Sequence, residues 1–332
     1  MITKRIIIVF LDGVGLGAAD PEANPFMHVD LPTIRSLLGA SHLTRDMAGT
    51  ATSQAALLGL DTLLGVPGLP QSATGQTTIL TGGNAPAAIG EHYGPYPNQA
   101  LREMLARDNI FKAVLRAGQP VAYANAYPAR FLDRLSRGKG RLSANTQAAF
   151  MSGLKLRSGE DLRQGRAISA LLSNDFWPEP DFKLPPLTTR QAGMQLANLA
   201  QEHTLTFFEF WYSDVLGHKQ KRRESLEVLG WLDDFLGGIL EGLDLSRSLL
   251  LVISDHGNFE DWTTGRHTKN PALTLIVGDR FQRFVPQLNS LADLRSTILS
   301  YLLDSGESRS EHPQMRPGPR NSASEDASLR KV

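Results

Sequence analysis

Six side chains suited to holding divalent cations flank short apolar runs in this chain, five after a run and His267 just before the last: Asp12, Asp214, His218, Asp255, His256 and His267. Asp12 ends the run Ile-Ile-Ile-Val-Phe-Leu. Asp214 and His218 lie in Ser-Asp-Val-Leu-Gly-His, Asp255 and His256 in Ser-Asp-His-Gly-Asn, and His267 in Gly-Arg-His-Thr-Lys-Asn-Pro. Taken singly, each aspartate reads as a turn or helix cap and each histidine as a structural residue. Together, three carboxylates and three imidazoles supply the nitrogen and oxygen ligands that two divalent ions need, zinc or manganese foremost and magnesium also. A seventh residue, Ser72, sits in Gln-Ser-Ala-Thr-Gly-Gln after a Gly/Pro-rich loop at 65–70, and helix-compatible residues run from there to Gly82-Gly83. That places its hydroxyl at a helix N-terminus, as an N-cap or beside a bound anion. A serine hydroxyl is a weak nucleophile until a base or metal lowers its pKa.

The elements that must position these residues alternate. Apolar, β-branched runs at 6–11, 121–126, 206–211, 249–253 and 274–277 predict strands buried on both faces. Helical periodicity precedes three of them: 110–117 before the second, Leu196, Leu199 and Ala200 before the third, and Leu226, Leu229, Leu232, Leu236, Leu240 and Leu243 before the fourth. The predicted fold class is α/β, a doubly wound, mostly parallel sheet sandwiched by helices. In such sheets ligands bind outside the carboxyl ends of the strands, where the six candidate ligands gather. Residues 128–187 break the rhythm with Gly-, Ser- and Pro-rich stretches, and predict an inserted cap on a discontinuous core of 1–127 and 188–304. From 128 to 170 the cap carries nine Lys/Arg against three acids, either a solvated surface or a lid that gathers anions. Residues 305–332 are rich in Ser, Pro, Arg and Glu and predict a disordered tail.

Composition excludes several classes. Lys+Arg and Asp+Glu are both 34, so a basic nucleic-acid or membrane-surface protein is not expected. There is no cysteine, which removes disulfides, thiolate zinc sites and thiol nucleophiles. No apolar run reaches the length of a membrane span or a signal h-region, so a cytoplasmic protein is expected.

Phe-Leu-Asp12-Gly, Gln-Ser72-Ala-Thr-Gly-Gln, Asp214-x-x-x-His218, Ser-Asp255-His256-Gly-Asn and His267-Thr-Lys-Asn-Pro resemble the alkaline phosphatase superfamily. They are most similar to its metalloenzyme branch, which contains cofactor-independent phosphoglycerate mutase and phosphopentomutase. The resemblance implies a bimetallic site with Asp214, His218 and His267 on one ion and Asp12, Asp255, His256 and the Ser72 oxygen on the other. It also implies that Ser72 is the nucleophile, phosphorylated during turnover of a small anionic phosphate ester. The expected activity is a phosphomutase, or a phosphomonoesterase or phosphodiesterase on the same site. Arg130, Arg134, Lys139 and Arg141 are candidates for gripping the non-transferred part of the substrate; Lys269, Thr74 and Asn258 are candidates for contacts to phosphate or ligands. Three departures stand out: the cap is shorter than in those mutases, their arginine-rich substrate motifs have no counterpart, and Gln76 replaces a histidine.

Three rival readings remain. Gly13-Val-Gly15-Leu-Gly17-Ala18 satisfies a dinucleotide-binding fingerprint, but Asp12 would face the pyrophosphate and Pro21 and Pro25 cut short the helix it needs. Ser72 lacks the G-x-S-x-G setting of a serine hydrolase. A non-catalytic binding protein on the same fold is the third, although every presumed ligand is present.

Overall fold

The computed structural model describes residues 4–179 and 182–303; the tail expected at 305–332 lies outside them. Six strands form one sheet: β1 (Arg5–Leu11), β2 (Ala55–Leu60), β3 (Val121–Tyr123), β6 (Leu205–Phe210), β7 (Ser248–Ser254) and β8 (Ala272–Gly278), in the order β2-β8-β7-β1-β6-β3. Two short strands, β4 (Ala126–Tyr127) and β5 (Arg157–Ser158), pair separately. β7, β1, β6 and β3 are parallel, while β8 runs antiparallel to both β7 and β2. The fold is thus the mostly parallel, helix-flanked α/β sheet expected from the sequence.

β1 shows why the apolar runs become strands. Ile7, Val9 and Leu11 enter one core cluster and Ile6, Ile8 and Phe10 the other, so each face of the strand is covered. Helices Pro32–Leu38, Thr189–Ala200 and Arg222–Gly242 cover the first face; Ser72–Thr81, Ile110–Arg116 and Asp293–Leu303 cover the second. The sequence gives no sign of β2. Its Ala-Ala-Leu-Leu-Gly-Leu has no β-branched residue, and it is held by pairing with β8 at the sheet edge.

The antiparallel β8 has a direct consequence for the site. Ile253 at the end of β7 pairs with Thr274 near the start of β8. The loop before β8, which carries His267, therefore opens on the same edge as the loops after β1, β6 and β7. Leu60 at the end of β2 pairs with Ala272, so the chain leading to Ser72 leaves from that edge too.

The 128–187 stretch serves two ends. Its helix Ala129–Ser136 has no buried residue, whereas Ala144, Ala148 and Ala149 of the helix Ala144–Met151 join the core beside the Ser72 helix. Among the described residues, no helix is long and apolar enough to cross a membrane.

Candidate metal centre

Each predicted ligand stands on a rigid support. Asp12 directly follows β1, and Asp255 and His256 directly follow β7. Asp214 and His218 lie one turn apart on the helix Tyr212–Lys219, which starts right after β6. Ser72 is the first residue of the ten-residue helix Ser72–Thr81, with Gln71 as its N-cap and Gly82 ending it in the left-handed conformation. The serine is therefore not the capping residue itself, and its hydroxyl is free to face the site.

The side chains converge. Nε2 of His218 lies 3.3 Å from Asp214 Oδ2, and Nε2 of His267 lies 3.6 Å from Asp214 Oδ1. The two Nε2 atoms are 3.1 Å apart. Beside them, His256 Nε2 is 3.4 Å from Asp12 Oδ1, 3.6 Å from Asp255 Oδ2 and 3.0 Å from Ser72 Oγ. Asp214, His218 and His267 form one set of converging donor atoms, and Asp12, Asp214 and His256 a second, so Asp214 belongs to both. The rings of His256 and His267 stack with centroids 3.8 Å apart, which sets the two groups side by side. Asp12, Asp255, His256 and His267 are buried, Asp214 is half-buried and His218 exposed.

The hydrogen bonds behind the rings fix which nitrogen faces inward. His218 Nδ1 donates to Gly265 O at 2.9 Å, His267 Nδ1 to Pro70 O at 2.6 Å and His256 Nδ1 to Gly257 O at 3.3 Å. A carbonyl oxygen only accepts, so each Nδ1 carries a hydrogen and each Nε2 faces the site, where it offers a lone pair once unprotonated. Two lone pairs 3.1 Å apart repel unless a proton or a cation lies between them.

The charges say the same. Burial, and then the neighbouring Asp255 carboxylate, push Asp12 well above the usual carboxyl range, and burial also raises Asp255. Burial works against a charge on Asp214, but the hydrogen bond to His218 and the charge of His256 hold it below that range. Burial likewise opposes a charge on His256, yet Asp255 and Asp12 raise it to about 10. Burial and the His256 charge push His267 down to about 4, while the Asp214 hydrogen bond raises His218. With no metal, protons thus hold the cluster together on His256 and His218. Asp12 Oδ1 is buried and accepts no hydrogen bond. Ligands about 2.0–2.2 Å from a tetrahedral ion lie roughly 3.3–3.6 Å from one another, the spacing seen across these donors. An orphaned carboxylate oxygen, three oriented imidazoles and an all-N/O donor set fit divalent cations.

A shell of partners holds the ligands. Asn258 Nδ2 donates to Asp214 Oδ1 at 2.7 Å. Gln76 Nε2 donates to Asp255 Oδ2 at 3.2 Å and Asp12 Oδ2 at 3.4 Å, while its Oε1 accepts from the backbone N–H groups of Ala144 and Asn145. Buried Glu260 accepts from the backbone of Gly15 and Asn258 and from the side chains of Thr268 and Asn270, tying the loops after β1 and β7 to the one before β8. In sequence Gln76 is visible only as a departure from the mutases, and nothing marks Glu260. Thr74 instead donates to Gln71 O and Tyr93 O, tying the start of its helix to the segment around Tyr93.

A cleft of about 670 Å³ opens beside Asp12, Ser72 and Asp214 and runs beneath the 128–187 stretch. Arg141 lines it. Arg130, Arg134 and Lys139 are exposed elsewhere on that stretch, and exposed Lys269 is also outside the lining. The surplus of positive charge on this stretch therefore lies mostly away from the cleft, the solvated-surface alternative for those residues.

Residues 181–305 match the model of the Metalloenzyme superfamily. The 2,3-bisphosphoglycerate-independent phosphoglycerate mutase of Thermosynechococcus vestitus is 31% identical over 120 residues, 31% of this chain and 22% of that protein. The enzyme of the same name from Ruthia magnifica is 24% identical over 139 residues, 38% of this chain and 27% of its own length. The matched segment thus spans about a quarter of these relatives. Among solved structures, the PH0037 protein from Pyrococcus horikoshii superposes with a TM-score of 0.55 at 14% identity, covering 91% of this chain and 98% of that one. The alkaline phosphatase of the Antarctic bacterium TAB5 gives 0.50 at 13%, covering 91% and 99%. Over residues 181–305 the chain is thus similar to the Metalloenzyme superfamily, and its fold is that of the alkaline-phosphatase-like structures.

Proposed function

We propose that the protein is a divalent-cation-dependent phosphoryl-transfer enzyme that acts on a phosphate monoester through a phosphoserine on Ser72. The supporting observation is the position of Ser72 Oγ, 3.0 Å from His256 Nε2 and next to two groups of cation donors. Asp214, His218 and His267 would hold one ion; Asp12, Asp255 and His256, with the Ser72 oxygen, the other, and Asp214 lies within reach of both. Bound there, divalent ions supply Lewis-acid charge that lowers the serine pKa and offsets charge on the phosphate oxygens.

The chain's own residues account for the remaining requirements. In the metal-free protein His256 is protonated and donates to Ser72, which blunts the nucleophile. Displacing that proton frees the serine oxygen. Ser72 then loses its proton to solvent and its oxygen bonds to phosphorus. The ester P–O bond breaks, and the leaving oxygen takes a proton from water. The dipole of the helix that Ser72 opens stabilises negative charge at this point. Attack by water on the phosphoserine would give inorganic phosphate and restore the hydroxyl. Among the described residues Arg141 is the one cation lining the cleft, which favours release of the alcohol and hence a phosphatase. The likeness to phosphoglycerate mutases favours the second reading, return of the phosphoryl group to the retained alcohol as a phosphomutase.

The test is acid quenching during turnover of phosphomonoesters with manganese or zinc, followed by peptide mass analysis. A phosphorylated Ser72 peptide is expected, and Ser72→Ala should lower kcat by about a thousandfold or more while keeping its metal. Free phosphate against an isomerised ester separates the two activities. A fully active Ser72→Ala variant would sink the proposal.

A further inference from the structure

The cleft that starts at Ser72 is walled by rings. Tyr96, Tyr127, Phe131, Phe176, Trp177 and Trp211 line it, together with Pro95, Pro128, Leu142 and Pro178. Tyr127 and Phe131 stack at 4.8 Å, which presents a broad apolar plate. Six large apolar side chains are exposed among the described residues, and three of them, Tyr96, Phe176 and Trp211, lie on this one cleft. Apolar surface left uncovered in a concavity marks a ligand site rather than a core defect.

Most polar side chains of the same cleft away from Ser72 are already engaged, Ser169 excepted. Glu209 accepts from the Tyr123 and Ser143 hydroxyls and the Asn145 amide. Thr146 bonds Tyr127 and Ser143. Asn125 exchanges two hydrogen bonds with the backbone of Glu209. Arg141, the single cation of the lining, stacks over the Tyr96 ring at 5.8 Å. Few donors remain for sugar hydroxyls or a second acid group, whereas aromatic surface makes up much of the lining.

From this the geometry points to the substrate class: a phosphate monoester whose alcohol is apolar and aromatic, its phosphate at Ser72 and its ring between the aromatic walls. This rests on the phosphoryl-transfer reading above and narrows it. A flat group seated there loses its own apolar surface to water along with that of Phe131 and Trp211, and stacks as well. A short, highly charged glycerate or sugar phosphate would bring its charge and hydroxyls against rings and leave the walls wet.

Three primary alkyl esters with leaving groups of similar basicity isolate the pocket from the chemistry: 2-(1-naphthyl)ethyl phosphate, ethyl phosphate and 3-phosphoglycerate. The expected kcat/KM is about 10- to 100-fold higher for the naphthylethyl ester, from the ring area it buries. Phe131→Ala should narrow that ratio by about tenfold, because this side chain is half-buried on a helix with no core residue. Binding is read separately with 2-(1-naphthyl)ethylphosphonate, which cannot be hydrolysed, through quenching of Trp177 and Trp211 fluorescence in both the wild type and Ser72→Ala. Equal or better turnover of 3-phosphoglycerate, or equal affinity for octylphosphonate, overturns the aromatic assignment. Phosphonate binding without any phosphoserine or turnover would uphold the aromatic pocket and sink the phosphoryl-transfer reading instead.

Discussion

Gln76 joins two parts of the molecule that the sequence keeps far apart. Its amide nitrogen reaches the carboxylates of Asp12 and Asp255, and its oxygen takes the N–H groups that open the helix Ala144–Met151. A histidine could not make all of these contacts in one tautomer, and a leucine could make none. Gln76→Leu is expected to weaken cation affinity by about 10- to 100-fold, the usual cost of losing a partner behind a ligand, measured by titration against a competing chelator. Asp214 carries a sharper prediction because it belongs to both donor groups. His218→Ala should cost one equivalent of bound metal and Asp214→Ala more than one, counted by elemental analysis of the purified variants. Equal losses in the two would break the shared-ligand assignment.

The direction of β8 is the element-scale fact on which the site depends. Had β8 been parallel to β7, its preceding loop would have opened at the opposite edge, a whole strand length from Asp255. Antiparallel pairing of Ile253 with Thr274 brings His267 back to within 3.1 Å of His218. Below the sheet, the helices Thr189–Ala200 and Arg222–Gly242 meet backbone to backbone. A Cβ on Gly238 would lie 1.9 Å from Arg190 O, and one on Gly193 2.1 Å from Phe235 O. No rotamer change can relieve a clash with backbone, so the helices must part. Gly238→Ala is expected to destabilise the protein by about 2–3 kcal/mol, despite its better helix propensity, and to lower the melting temperature by several degrees. A variant as stable as the wild type would mean that the helices do not approach this closely in solution.

For the whole molecule, cation binding and stability should be one measurement. Three carboxylates gathered in a largely buried cluster oppose one another, and burial raises two of them. A cation offsets this only in the folded chain. At a concentration about a hundred times its Kd it should add about 2.7 kcal/mol of stability, seen as a rise in melting temperature that a chelator reverses. The pH dependence has a definite sign. His256 is raised to about 10 and must lose its proton to bind an ion, so protons compete throughout the neutral range. Affinity should therefore rise with pH, by about tenfold per unit for each proton released, between about pH 6 and about pH 8. Affinity that falls or stays level over that range would show that binding does not displace a proton from His256.

Strand runs such as Ile6–Leu11, the α/β class and the chemistry at the strand ends could be read from residue types alone, because period, branching and ligand chemistry are local properties. So could Ser72 at a helix start, from the glycines and prolines around it. Three features required the fold. Edge strand β2 has no local signature, and its place comes from pairing with β8. Gln76 and Glu260 matter through partners distant in sequence or through loop closure, which no spacing rule encodes. The charge of residues 128–170 was visible, but its outward direction was not: whether Arg130 or Phe131 faces the cleft depends on how one short helix is rotated against the sheet. Local sequence specified which side chains gather at the strand ends, and three-dimensional packing decided what surrounds them, since only packing determines which side of each element is left open.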